Sequence, residues 1–200
     1  MARNLRKPAG FAGRLVGMMM NKSNDPMNRF TIRLLDPQRN DSVLEIGFGN
    51  GKYIREIART AGDGLVAGVD YSQTMVSQAR KRNRKWIRQG KVEIHCGSAD
   101  RLPFESDTFH KVFTVNTIYF WPRPDKEIAE IYRVLKPGGS CVISFRSKEK
   151  MERLPFAGNG FRLFEPDEVV RLVMEAGFKE VSLESTQDRQ LDVNCVIAKK

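Results

Sequence analysis

Residues 43–51 read VLEIGFGNG, and this stretch decides the fold that the sequence predicts. Its first four residues are typical of a short buried β-strand. Three glycines at alternate positions follow, and residues 52–60 then carry apolar side chains at helical spacing. A glycine loop between a strand and a helix lets the backbone approach a ligand closely, and the N–H groups at the start of the helix suit a polar or anionic group.

The spacing of these glycines separates two kinds of nucleotide site. A dinucleotide-binding loop has the pattern GxGxxG, which would place a glycine at position 52. This chain has Lys52 there and reads GxGxG instead, at Gly47, Gly49 and Gly51. The loop therefore disfavours NAD as the ligand.

Strand and helix patterns alternate along the chain after residue 40. Short apolar runs separated by helical segments predict an α/β fold with a parallel sheet covered on both faces. The last two strands are joined by a loop too short for a crossover helix, so they must pair as a hairpin and one must run antiparallel. The predicted strands are residues 43–46, 65–69, 92–96, 111–115, 141–145, 179–185 and 193–198, and the predicted helices are residues 52–60, 73–88, 125–135 and 166–176.

Polar or small residues follow the second, third and fourth of these strands. Asp70 ends the second strand, where an acid can accept hydrogen bonds from both hydroxyls of a ribose. The small residues Ser98 and Ala99 after the third strand would let an adenine ring approach, and Asp100 could accept from its amine. Asn116 follows the fourth strand and is expected to bind the same nucleotide ligand. Because an open α/β sheet binds its ligand at the carboxyl ends of its strands, these residues predict one site.

Four segments together resemble the class I S-adenosylmethionine methyltransferases that act on small molecules. They are VLEIGFGNG at residues 43–51, GVDYS at 68–72, GSADRLPF at 97–104 and LKPGG at 135–139. The resemblance covers about residues 40–200. It implies a Rossmann-like, seven-stranded sheet in the order 3-2-1-4-5-7-6, with strand 7 reversed and helices on both faces. The implied cofactor is S-adenosylmethionine, with S-adenosylhomocysteine as its product.

The resemblance also implies roles for individual residues. The glycine loop would face the methionine part of the cofactor, and Glu45 would bind its amine. Asp70 would hold the ribose, Tyr71 would pack on adenine, and Ala99 with Asp100 would bind the adenine edge.

The segment after the fourth strand would lie beside the reactive methyl group. It reads VNTIYFWP at residues 115–122 and lacks the Asn-Pro-Pro-Tyr signature of methyltransferases that act on nucleobases and glutamine. Tyr119 and Trp121 could line an apolar or cation-accepting pocket, or could be ordinary core aromatics. Tyr119 is the residue we expect to contact the methyl acceptor. His95 and His110 are isolated and receive no catalytic role.

Basic residues are concentrated in two segments. Residues 1–40 carry eight Lys or Arg against two Asp, and residues 80–91 carry seven Lys or Arg and no acid, whereas the remaining residues sum to −3. A positive patch can attract nucleic acid or anionic lipid, or can be a solvated helix face. Because no other feature favours a nucleic-acid or membrane partner, the sequence makes no strong case for either.

The first 40 residues are expected to form a helical segment outside the domain of residues 41–200. Phe11, Leu15, Met18 and Met19 share one helical face. A methionine-rich face is adaptable, and three interpretations stay open. The face could cover the substrate pocket as a lid, pack on the core, or anchor the chain at a membrane surface.

The function expected from the sequence is methyl transfer from S-adenosylmethionine to a small-molecule acceptor. A nucleic-acid or lipid-headgroup methyltransferase and a non-catalytic S-adenosylmethionine-binding protein are the alternatives. No metal cluster is evident, and we expect a cytoplasmic monomer or homodimer whose cysteines, Cys96, Cys141 and Cys195, are buried free thiols. The acceptor atom and the need for a general base stay open.

Overall fold

The seven strands in the described part of the chain form one sheet in the order β3-β2-β1-β4-β5-β7-β6. The structure is a computed structural model that describes residues 24–153, 162–188 and 191–200. Strands β1 to β5 are parallel, and β7 runs antiparallel to both β5 and β6. The predicted sheet order and terminal hairpin are therefore confirmed. The strands are β1 (Val43–Ile46), β2 (Val66–Asp70), β3 (Val92–Cys96), β4 (Phe109–Val115), β5 (Leu135–Phe145), β6 (Glu180–Asp188) and β7 (Leu191–Lys199).

Helices connect the strands and cover both faces of the sheet. Ser72 is the N-cap of the third helix and its hydroxyl accepts from the Met75 N–H at 3.5 Å. The last helix begins with a capping box between Glu165 and Glu168. The helices are α1 (Asp25–Leu35), α2 (Lys52–Ala58), α3 (Gln73–Arg88), α4 (Pro124–Val134), α5 (Lys148–Glu152) and α6 (Pro166–Glu175), and a 3₁₀ turn spans Ile118–Phe120.

The apolar core lies in two layers, one on each face of the sheet. Met27 of α1, Ile54 of α2 and Val76 of α3 belong to the layer on one face. Ile128 of α4 and Val173 of α6 belong to the layer on the other face. This arrangement leaves the carboxyl ends of β1 to β4 open to a ligand between the two helical layers.

Helix α1 is part of this core. It packs against β4, β5 and β7, and Met27 and Leu35 are fully buried. The Thr31 hydroxyl bonds to the Met27 carbonyl at 2.8 Å and to the Ser144 hydroxyl at 2.7 Å. The Phe11–Met19 face on which the lid prediction depends lies outside the described residues, and the division at residue 40 stays a prediction.

Strand β5 begins earlier than the sequence predicts. Helix α4 ends at Val134, and the backbone is already extended at Leu135, which pairs with Phe109. The register then shifts, so that residues 136–139 form an irregularity before Ser140 pairs with Lys111. Two local effects account for this: Lys136 precedes a proline, which disfavours helix, and Gly138 has a φ of +75°.

The three cysteines differ in burial. Cys141 and Cys195 are buried free thiols, as predicted, but Cys96 is exposed, so that part of the prediction is wrong. The reason is the position of Cys96 at the end of β3, which is an edge strand of the sheet. Burial raises the pKa of Cys141 to about 12 and that of Cys195 to about 11.

Candidate functional site

A cavity opens at the carboxyl ends of β1, β2, β3 and β4. The loop that follows each of these strands forms part of the cavity wall, as expected for an open α/β sheet, and α1 closes one side. The residues that line it include Asn24 and Asn28 of α1, Glu45 to Gly49, Tyr53, Val69 to Tyr71, Met75, Gly97 to Ala99, Val115 to Thr117, Phe120 to Pro122, and Glu127. The predicted site residues on this wall are Glu45, Gly47, Gly49, Asp70, Tyr71, Ser98, Ala99 and Asn116.

The glycine loop follows β1 with a left-handed backbone that side chains rarely adopt. Gly47 has a φ of +74°, and a Cβ there would lie 2.1 Å from the Thr117 methyl group. Gly51 has a φ of +69°, and a Cβ there would lie 2.6 Å from the Ala79 Cβ. Gly51 is absent from the cavity wall: it lets α2 and α3 pack closely, whereas Gly47 and Gly49 face the cavity. Within one motif, Gly47 and Gly49 therefore leave room for a ligand, whereas Gly51 allows two helices to pack closely.

Asp70 is placed to hold hydroxyl groups. Its Oδ2 accepts the Gly49 N–H at 2.9 Å and its Oδ1 accepts the Ser72 N–H at 2.8 Å. Each carboxylate oxygen has a further lone pair for a ligand. Burial raises the pKa of Asp70 to about 6, against the opposing effect of these two backbone bonds. At neutral pH the group is therefore ionised and can accept from two neighbouring hydroxyls.

Glu45 is a buried carboxyl group at the end of β1 and is only 4% exposed. Its Oε2 has no hydrogen-bond partner among the described residues. Burial raises the pKa of Glu45 well above its usual value, and the neighbouring charge of Asp70 raises it further. A ligand cation would satisfy the unpaired oxygen and would favour the ionised form.

The loop after β3 lines the cavity only as far as Ala99. Gly97, Ser98 and Ala99 line the cavity, but Asp100 does not. Asp100 instead lies 3.3 Å from the Arg123 guanidinium, and bonds from the Ser98 and Arg123 side chains lower its pKa. Tyr71 is on the cavity rim and is 49% exposed.

Tyr119 stands behind the cavity wall. It is buried and does not line the cavity, and its hydroxyl accepts the Arg146 N–H and lies 3.1 Å from the Arg146 carbonyl. The hydroxyl is also 3.2 Å from Asn116 Oδ1, and Asn116 Nδ2 donates to Asn24 Oδ1 at 3.2 Å. Burial raises the pKa of Tyr119. The geometry thus gives Tyr119 a supporting position behind Asn116, and contact with an acceptor gains no support.

Several residues on the wall were not singled out in the sequence. Among them, Asn24 and Asn28 lie at the start of α1, which precedes every motif, Phe120 lies in the quoted segment after β4 but received no role there, and Glu127 comes from α4. The helical spacing of the α4 residues was visible, but it did not distinguish Glu127 from the other acids of that helix.

Two features of the described residues bear on other kinds of function. No group of three or more His, Cys, Asp or Glu side chains among them is placed to hold a metal ion. None of the helices that the structure describes has the length and apolarity needed to cross a membrane.

Comparison with known proteins identifies the family. Residues 43–139 match the model of a methyltransferase domain. The chain is 33% identical over 135 residues to the uncharacterized methyltransferase YdaC of Bacillus subtilis, which covers 68% of this chain and 72% of YdaC. It is 33% identical over 138 residues to the ubiquinone/menaquinone biosynthesis C-methyltransferase UbiE of Escherichia coli, covering 66% of this chain and 53% of UbiE.

A solved structure shows the same fold. The S-adenosylmethionine-dependent methyltransferase of Aquifex aeolicus superposes with a TM-score of 0.67 at 22% identity, covering 88% of this chain and 97% of the other. The motif match, the relatives and the fold agree, and the chain belongs to the class I S-adenosylmethionine-dependent methyltransferase family.

Proposed function

We propose that this enzyme transfers a methyl group from S-adenosylmethionine to a small, uncharged organic acceptor. The observation that carries the proposal is the chemistry of the cavity wall around Asn116. Among the described residues, that side is formed by Asn24, Asn28, Asn116, Thr117 and Phe120, none of which carries a charge. Amide and aromatic groups of this kind can orient a neutral molecule, but they would leave a charged acceptor without a counter-ion.

The other side of the cavity fits the cofactor. The unpaired Oε2 of Glu45 is suited to the ammonium group, and Gly47 and Gly49 leave room for the methionine chain. Asp70 is suited to the two ribose hydroxyls, and Tyr71, Ser98 and Ala99 border the space for adenine. When bound, the cofactor supplies the activated methyl group.

The residues of this chain have to orient the acceptor and exclude water. Such orientation can account for roughly 7–11 kcal/mol of the barrier. The titratable groups on the described wall, apart from the tyrosines, are the carboxyl groups of Glu45, Asp70 and Glu127, and the first two are assigned to the cofactor. An acceptor whose nucleophilic atom needs no prior loss of a proton therefore fits best. UbiE is by its name a C-methyltransferase of quinone biosynthesis, which supports small-molecule chemistry at carbon.

The basic segment of α3 lies far from this wall. Its exposed cations occupy the second half of the helix, from Arg80 to Arg88, whereas Ser72 at the start of the helix is beside the cavity. A helix rises about 1.5 Å per residue, so these cations lie roughly 8–20 Å along the helix beyond Met75, which lines the cavity. This separation disfavours a substrate that reaches the site along the basic face, such as nucleic acid.

Formation of S-adenosylhomocysteine by the full-length chain tests the proposal across matched acceptors. The set comprises electron-rich quinols, enols, neutral amines and thiols, carboxylates, an RNA oligonucleotide and anionic vesicles. We expect turnover above the acceptor-free rate with one or more neutral small molecules. Turnover confined to the RNA or the vesicles, and lost as salt is added, would overturn the proposed acceptor class.

A further inference from the structure

Glu127 has an unusual environment for a carboxyl group. It lies in α4, is 1% exposed and forms part of the cavity wall. Neither of its carboxyl oxygens has a hydrogen-bond partner among the described residues. The backbone N–H groups of Arg123 and Glu127 lie close enough to favour the ionised form, but neither makes a bond of ordinary geometry. Glu127 is therefore a buried carboxyl group on the cavity wall whose two oxygens lack a protein partner among the described residues.

The position of Glu127 along the cavity is set by its neighbours. Its nearest charged groups are Asp100 and Arg123, which flank the loop after β3 and the turn before α4. One helical turn further on, Glu130 accepts the Leu102 N–H at 2.8 Å. Glu127 therefore lies on the part of the cavity wall nearest the loop after β3.

Stability of the fold does not account for this residue. An acid near the start of a helix interacts favourably with the helix dipole, but that gain is small beside the cost of burying an unpaired carboxyl group. A leucine at this position would pack in the same apolar surroundings without that cost. A carboxyl group kept here at the expense of stability points to a ligand that pairs with it.

We propose that Glu127 binds the adenine base of S-adenosylmethionine by accepting a hydrogen bond from its exocyclic amine. The resemblance assigned this role to Asp100, but Asp100 is paired with Arg123 outside the cavity wall. Burial raises the pKa of Glu127, Asp100 raises it further, and Arg123 opposes the rise. The neutral form keeps a carbonyl acceptor and gains an O–H donor, which complements the ring nitrogen beside the adenine amine.

This inference rests on the cofactor assignment and goes beyond the proposed acceptor class. The test measures whether the gain in affinity from the adenine amine depends on Glu127, as in a double-mutant cycle. S-adenosylhomocysteine and its analogue with purine in place of adenine are titrated calorimetrically into the full-length chain and into E127L, E127Q and D125L. Asp125 is an exposed acid in the same turn of α4 and does not line the cavity, so D125L is the matched control.

We expect the wild-type chain to bind S-adenosylhomocysteine about tenfold or more tightly than the purine analogue. E127L loses this preference, E127Q retains most of it through its amide oxygen, and D125L behaves as wild type. The free E127L protein is expected to melt at the same or a higher temperature than wild type, because an unpaired buried carboxyl group is removed. E127M repeats the comparison if E127L does not fold.

Two outcomes overturn the proposal separately. A folded E127L or E127M that keeps the wild-type preference for adenine would show that Glu127 does not bind the amine. Failure of the wild-type chain to bind either ligand would overturn the cofactor assignment itself, and this proposal with it.

Discussion

The two ends of the cavity are lined by different kinds of residue. At the end formed by β1 and β2, the wall consists of glycines with positive φ and two buried carboxyl groups, Glu45 and Asp70. At the end beside Asn116, the described wall consists of neutral amides and an aromatic ring, contributed partly by α1. The first end suits a ligand with a cation and paired hydroxyls, and the second suits an uncharged molecule.

The difference also concerns how each end is held in place. Glu45 and Asp70 sit on neighbouring strands whose backbones are hydrogen-bonded to one another, and Asp70 fixes the glycine loop through the Gly49 N–H. The Asn116 side depends on a contact between residues 92 positions apart, since Asn116 bonds to Asn24 of α1. The proposed cofactor end is thus local to the sheet, whereas the proposed acceptor end depends on the docking of a separate helix.

The largest effect is expected at Gly47. An alanine there would place its Cβ 2.1 Å from the Thr117 methyl group. We expect Gly47→Ala to weaken S-adenosylhomocysteine binding by more than about 100-fold, because the loop must move out of the ligand's position. Calorimetry on the purified variant measures this.

Gly90 provides the matched control, because it has a φ of +69° and would place its Cβ in open space. Gly90→Ala shares the left-handed backbone strain, roughly 1–2 kcal/mol, without the clash. It should lower the melting temperature and leave cofactor affinity unchanged. Equal loss of affinity in both variants would mean that backbone strain, and not the close approach to Thr117, accounts for the weaker cofactor binding of Gly47→Ala.

Asp70 should have the next largest effect. Hydrogen bonds to a charged acceptor contribute roughly 1.5–3 kcal/mol, so Asp70→Ala should weaken cofactor binding by about 10- to 100-fold. Asp70→Asn should be milder, because the amide oxygen still accepts, although neutral bonds are weaker. Asp63→Ala is the control, since the Asp63 side chain is fully exposed and 4.0 Å from Lys91. Unchanged affinity in a folded Asp70→Ala would contradict the ribose assignment.

Removal of residues 1–22 should lower turnover without changing cofactor affinity, and so distinguish the two ends of the cavity. The described chain begins at Asn24, which lines the cavity and accepts a hydrogen bond from Asn116, at the end that we propose for the acceptor. We expect the truncated protein to keep cofactor affinity and to lose turnover by about tenfold or more, since acceptor orientation supplies much of the rate. Full turnover would argue against a lid, and loss of the folded state would favour the interpretation that the Phe11–Met19 face packs on the core.

Much of the cofactor end could be predicted from the sequence, because its signals are local. A strand, a glycine loop and an acid at the next strand end are each read from a few neighbouring residues, and topology brings their carboxyl ends together. Asn24 and Asn28 could not be found in this way, because they reach the cavity only through the packing of α1. Tyr119 had the expected chain position, but whether a side chain faces the cavity or the layer behind it depends on the turn at residues 118–120.

The smallest effect is expected at Asp100, and it completes the comparison with Asp70. Both acids follow a strand, and the resemblance assigns both to the cofactor, but only Asp70 lines the cavity. The Asp100 side chain is paired with Arg123 at 3.3 Å, and the Arg123 side chain is about half exposed. Exposed ion pairs of this kind contribute roughly 0–1 kcal/mol. Asp100→Ala should therefore change cofactor affinity by less than about fivefold.

The comparison of Asp100→Ala with Asp70→Ala in one calorimetric series decides between two accounts of adenine binding. If the amine of adenine bonds to Asp100, the two variants should lose affinity to a similar degree. If it bonds to Glu127, Asp100→Ala stays near wild type and only its Arg123 partner is released. Arg123→Ala, which removes the same ion pair from the other side, should then also stay within about fivefold of wild type, because neither variant removes the Glu127 carboxyl group.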